Sequence, residues 1–183
     1  MIELGRLGHW VDLEKLNEDS VIIDAGACTG EFIEEIRKHV NCKIIAIEPD
    51  PESFMKLREK NFDNVELHNN ALVGERESAF STFYAYPQKE LGNMFELYPG
   101  STNKFTVRNI KLSELPKADY LKLDIEGCEK SLFEDDINVA QLCAEIHSNS
   151  DIKKIKIRLE EQGYSCEIMP RSELYATKIS LCN

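Results

Sequence analysis

Carboxylates recur in this chain where apolar runs stop. Asp24 closes Val21-Ile22-Ile23, Glu48 closes Ile44-Ile45-Ala46-Ile47, Asp124 closes Leu121-Lys122-Leu123, and Glu145 and His147 close Leu142-Cys143-Ala144. Acids at strand ends, with one imidazole whose ordinary pKa lies near neutrality, suit proton removal from a hydroxyl. Asp124 ranks first, as an acid facing cofactor or acceptor. His147 ranks second, as a base, with Glu145 as the neighbour able to raise its pKa. The competing structural roles are ion pairs and caps, such as Glu126 capping the helix after Gly127, and a bond from His147 to a backbone carbonyl. Asp124, Glu145 and His147 also carry the ligand types of an oxygen-rich divalent-metal site. Nothing in the spacing fixes their mutual distances, so the reading without a metal is preferred.

The second chemical signal is the turn Asp24-Ala25-Gly26-Ala27-Cys28-Thr29-Gly30. Gly26 and Gly30 allow positive φ and close approach of the backbone to a ligand, with Ala27 and Cys28 between them on the turn. The spacing is Gly-x-x-x-Gly and departs from the G-x-G-x-x-G of pyrophosphate-binding turns, which argues against a nicotinamide or flavin dinucleotide. An acidic strand end repels pyrophosphate and suits S-adenosylmethionine, whose sulfonium and ammonium are cationic. Glu48, beside Pro49 at the end of the second strand, stands where an acid reaches both ribose hydroxyls of a nucleoside held over the first. Asn69 and Asn70, leading into Ala71, offer hydrogen bonds to an adenine edge, although asparagine in a turn needs no such task.

The elements that must position these residues alternate between strands and helices. Strand one (Ser20 to Asp24) is followed by a helix over Glu31 to His39. A strand over Lys43 to Ile47 then leads into a helix ending near Lys60, opened by Pro51. A third strand with its exit loop covers Val65 to Val73, and a further strand Glu77 to Tyr84. Met1 to Asn17 reads as a helical lead-in with Leu4, Leu7, Trp10 and Val11 on one face. Tyr84 to Arg108, broken by Pro87, Gly92, Pro99 and Gly100, reads as a lid or acceptor-binding loop. A short strand and turn over Val107 to Leu115 precede the strand carrying Lys122, whose charge must snorkel, pair or face the cleft. After a helix from Glu129 to Phe133, the strand from Val139 to His147 puts Cys143, Glu145 and His147 on one face. An amphipathic helix over Ile152 to Gln162 and an antiparallel hairpin of Tyr164 to Met169 with Leu174 to Leu181 close the chain.

The chain of 183 residues suits one buried α/β core, and the whole of residues 1–183 is read as a single domain. A formal charge of −11 disfavours nucleic acid and anionic membrane as partners, which leaves a small-molecule hydroxyl acceptor as the expected one. No basic-then-apolar leader and no membrane-length apolar run stands in the sequence, so a cytoplasmic location is expected. The six cysteines form no C-x-x-C pair and read as thiols.

These motifs resemble those of the FkbM-type S-adenosylmethionine-dependent methyltransferases. The resemblance is carried by Asp24 to Gly30, by Ile47-Glu48-Pro49-Asp50-Pro51, and above all by Leu121-Lys122-Leu123-Asp124-Ile125-Glu126-Gly127-Cys128-Glu129 followed by Ala144-Glu145-Ile146-His147. It spans roughly Ser20 to Gly163. The family's usual asparagine in the glycine turn is Cys28 here. The resemblance implies a class I methyltransferase fold, an α/β Rossmann-like arrangement with a seven-stranded, mostly parallel sheet and helices on both faces. It also implies methylation of a hydroxyl oxygen, with cofactor contacts at Asp24, Gly26, Glu48 and the Asn69 to Ala71 loop. The alternatives kept open are an RNA or protein methyltransferase and a non-catalytic binding module.

Overall fold

Consecutive residues of the apolar runs are buried on opposite faces of one sheet. Ile22 packs into one core cluster and Ile23 into another, both fully buried, as expected of a central parallel strand covered on two sides. The computed structural model describes residues 1–4, 8–85, 103–125, 127–146, 149–170 and 173–179. Its strands are β1 (Ile2–Leu4), β2 (His9–Val11), β3 (Val21–Ala25), β4 (Lys43–Ile47), β5 (Val65–His68), β6 (Ala71–Val73), β7 (Phe80–Ala85), β8 (Asn103–Lys111), β9 (Tyr120–Leu123), β10 (Gln141–Glu145), β11 (Tyr164–Met169) and β12 (Glu173–Lys178). The helices are α1 (Glu31–Ile36), α2 (Pro51–Glu59), α3 (Glu129–Leu132) and α4 (Asn149–Glu161).

The principal sheet has the order β11-β12-β10-β9-β3-β4-β5. Strands β5, β4, β3, β9 and β10 run parallel, and β12 is antiparallel to both β10 and β11. The sheet is therefore mixed. Phe32, Ile33 and Ile36 of α1 and Leu57 of α2 fill one face, while Leu132 of α3 and Ile152, Ile155 and Leu159 of α4 fill the other. Helix α2 starts where its chemistry dictates. Pro51 takes the first position, and the Asp50 carboxylate accepts the N–H groups of Glu52 and Ser53 at 2.9 and 2.8 Å.

Four expectations change. Met1 to Asn17 contains no α-helix among its described residues: β1 and β2 form an antiparallel ladder with Leu4 opposite His9 and Ile2 opposite Val11, and only Leu13–Lys15 makes a 3₁₀ turn. Gly8 at φ 84° cannot continue a right-handed helix. Tertiary partners complete the departure, since Tyr120 donates its hydroxyl to the Trp10 carbonyl at 3.0 Å and the Trp10 N–H points to Cys143 Sγ at 3.3 Å.

The third strand divides. Val65–His68 stays in the principal sheet, while Ala71–Val73 leaves it to pair in parallel with β8, which pairs on its other side with β7. This small sheet packs Leu72, Val73, Phe83 and Val107 onto the α3 and α4 face.

The irregular stretch expected over Tyr84 to Arg108 is narrower. Tyr84 and Ala85 belong to β7, and Asn103 to Arg108 belong to β8. Residues 86–102 lie outside the described residues. Helix α1 is also shorter than Glu31 to His39, because Lys38 and His39 close tighter turns onto Glu35 and Ile36.

Candidate active site

Parallel pairing aligns four strand ends. Ala25 stands opposite Ile47 and Leu123, and Leu123 opposite Ala144. The next residue on each strand therefore falls into one row across the carboxyl edge: Glu48, Gly26, Asp124, Glu145. Four signals far apart in sequence meet there through register alone.

The turn after β3 is built by close backbone approach. Gly26 and Ala27 both donate their N–H to the Ile47 carbonyl, at 2.9 and 3.1 Å. Gly26 has φ 77°, and a Cβ placed on it would sit 1.7 Å from the Asp124 carbonyl oxygen. No side chain fits there. Gly30, at φ 91°, would drive a Cβ to 2.8 Å from both Leu57 and Phe62. Cys28 also adopts positive φ, 48°, at a position where asparagine or glycine is easier to accommodate.

Glu48 ties this turn to the next strand end. Its Oε2 accepts the Cys28 N–H at 2.7 Å and its Oε1 the Asp50 N–H at 2.8 Å. The side chain is almost fully buried, and burial pushes its pKa up to about 7 despite those two donors, which favour the ionised form. Each oxygen retains a lone pair beyond the N–H it accepts.

Below the row lies Asp24, expected from the sequence to contact the cofactor. Its carboxylate is wholly buried, with Lys122 Nζ 3.1 Å from Oδ1. It lies beneath the turn, beside the lysine that holds it. Lys122 also donates to the Gly26 carbonyl at 2.6 Å. Burial opposes the lysine's charge, but the carboxylates of Asp24, Asp124 and Glu48 outweigh it and hold the ammonium above its ordinary pKa. Lys122 is the positioning residue that sequence reasoning left unassigned. The signal was its place inside a buried strand, which demanded a partner without saying which.

Asp124 leads out of β9 with its N–H on the Ala25 carbonyl at 3.0 Å. Its Oδ1 is buried and makes no hydrogen bond among the described residues. Glu145 ends β10, half-buried, opposite Glu173 of β12. Asn69 sits on the exposed side and donates to the carbonyls of Glu48 and Pro49 at 2.8 and 3.1 Å, and Asn70 donates to the Arg108 carbonyl at 3.0 Å. Both amides thus stitch loops together, and half-exposed Pro49 takes part through its carbonyl. Ala71 is buried at the start of β6. Glu126 and His147 lie outside the described residues. None of the five described cysteines is in a disulfide.

A parallel β3-β4-β5-β9-β10 core with a glycine turn after its first strand and an acid at the end of its second defines a class I methyltransferase fold. The chain belongs to the FkbM methyltransferase domain family, whose model matches residues 24–166. It is a methyltransferase. Among solved structures, it is similar to precorrin-6y C5,15-methyltransferase from Geobacter metallireducens, at 18% identity and TM-score 0.52, covering 90% of this chain and 83% of that one. It is similar to a ribosomal protein L11 methylase from Lactobacillus delbrueckii subsp. bulgaricus, at 12% identity and TM-score 0.54, covering 88% and 71%. A third is an rRNA methylase from Streptococcus thermophilus, at 11% identity and TM-score 0.51, covering 92% of each chain. At such identities the likeness is one of fold. No curated protein sequence matches the chain significantly. Among the described residues no helix is long and apolar enough to cross a membrane.

Proposed function

We propose that this chain transfers the methyl group of S-adenosylmethionine to a hydroxyl oxygen of a small molecule or sugar. The observation that carries the reading is the row Glu48, Gly26, Asp124, Glu145, in which Asp124 keeps a buried carboxylate oxygen without a hydrogen-bond donor among the described residues. A buried acceptor lacking a donor costs free energy unless a ligand completes it.

The donor set fits such a ligand. Glu48 offers lone pairs to ribose hydroxyls, Asp124 offers negative charge to a cationic group, and Gly26 leaves the turn free of side chain. When bound, S-adenosylmethionine supplies an electrophilic methyl group. The chain's residues then have three tasks. Glu48 orients the nucleoside, Asp124 offsets positive charge, and a carboxylate at the β9 or β10 end takes the proton from the acceptor hydroxyl. Asp124 and Glu145 stand at those ends, and His147 is kept as a candidate base by its place in the sequence.

An edge lined with carboxylates on a chain of charge −11 favours an uncharged hydroxyl over a polyphosphate backbone. The reading is tested by incubating the protein with methyl-labelled S-adenosylmethionine and a panel of hydroxylated small molecules, RNA and protein. Label in an ether linkage on a small molecule supports it. Label only in RNA or protein overturns it.

A further inference from the structure

Beneath the β1–β2 hairpin lies a buried group of side chains that the transfer reaction does not use. His9 of β2, Cys143 of β10 and Glu173 of β12 each present one ligand atom, and the three atoms lie within 4.8 Å of one another. Elements far apart in the chain meet at this point. His9 is 2% exposed, and neither ring nitrogen has a hydrogen-bond partner among the described residues. An imidazole so placed is costly in an ordinary core.

We propose that His9, Cys143 and Glu173 bind a divalent transition ion of the zinc class, which clamps the hairpin to the sheet. Its three ligands differ from Asp124, Glu145 and His147, the grouping considered from sequence. Nitrogen, sulfur and oxygen together select a borderline ion of this kind. Bond lengths of about 2.0–2.3 Å in a tetrahedral arrangement separate ligand atoms by roughly 3.3–3.6 Å. Cys143 Sγ and Glu173 Oε2 are already 3.8 Å apart, so small side-chain rotations close the site.

The surroundings favour it. The Trp10 N–H is directed at Cys143 Sγ, 3.3 Å away, as an outer-shell donor to that ligand. Binding releases the thiol proton of Cys143 to solvent. The ion's two charges are then matched by that thiolate and the Glu173 carboxylate, which leaves the neighbouring Lys122–Asp24 pair balanced as before. Stated for the fold, the ion fixes β2 over β10 and β12.

The test uses the full chain, stripped with chelator and titrated with Co²⁺ alone, then with Zn²⁺. Uptake of one equivalent with a near-ultraviolet thiolate-to-cobalt band, a rise in Tm with Zn²⁺, and at least tenfold weaker uptake by His9→Gln and Cys143→Ser support the proposal. The band persists in Cys28→Ser, whose thiol lies elsewhere. Absence of stoichiometric uptake by the unsubstituted chain, a complex without the thiolate band, or a band lost in Cys28→Ser overturns it. If the two ligand variants fail to fold, the spectrum of the unsubstituted chain decides.

Discussion

Lys122 Nζ stands 3.1 Å from Asp24 Oδ1 and reaches past it to the Gly26 carbonyl at 2.6 Å. One buried ammonium therefore neutralises the acid below the glycine turn and anchors the turn itself. Removing it strands a buried charge. Lys122→Met is expected to cost about 3–5 kcal/mol in urea unfolding, and adding Asp24→Leu should recover a large part of the loss. Equal instability of single and double variants would contradict the pairing.

Gly26 is irreplaceable for two separate reasons, its φ of 77° and the Asp124 carbonyl at 1.7 Å from a Cβ. Gly26→Ala should lose more than about 2 kcal/mol of stability. Gly163 has φ 82° but open space around it. Gly163→Ala should lose less, and denaturant midpoints of the two variants check the order.

Cys28 carries backbone strain that another residue relieves. At φ 48°, asparagine is tolerated better than cysteine, and Cys28→Asn should raise stability by about 0.5–1 kcal/mol. The bond to Glu48 Oε2 is donated by the backbone N–H of residue 28 and survives the change. A fall in Tm would contradict this.

The buried carboxyl of Glu48 makes a signed prediction about pH. Its folded-state pKa, about 7, lies above the ordinary 4.5, so between those values the folded chain holds a proton that the unfolded chain has released. This group's contribution is most favourable below pH 4.5 and is lost as pH rises toward 7. Glu48→Gln lacks that titration. The stability difference, unsubstituted chain minus Glu48→Gln, should fall from pH 4.5 to 7 and level off above, measured by denaturant unfolding at each pH. A difference that grows with pH would contradict the burial argument.

Much of this site can be read in the sequence because its signals are local. A β-branched run ended by an acid and glycine announces both the strand and its edge, and Glu48 followed by Pro49-Asp50-Pro51 announces strand, acid and capped helix together. What the sequence does not show involves residues whose partners are distant. Asp24 reads as a strand-end acid, and only parallel register brings Lys122 to its buried carboxylate. The Asn69 amide donates to the Glu48 and Pro49 carbonyls, partners that its sequence position does not show. The apolar spacing of the first seventeen residues matches a helix, but Gly8 and the partners offered by Cys143 and Tyr120 make a hairpin. His9 gave no sequence signal, since its importance depends on a cysteine and a glutamate far along the chain.

The central claim, that the strand-end row holds a sulfonium nucleoside, is tested most directly by calorimetric titration with S-adenosylhomocysteine. The unsubstituted chain should bind one equivalent, with Glu48→Ala and Asp124→Ala each at least tenfold weaker while remaining folded. No saturable binding, or affinity unchanged in both variants, would contradict the account.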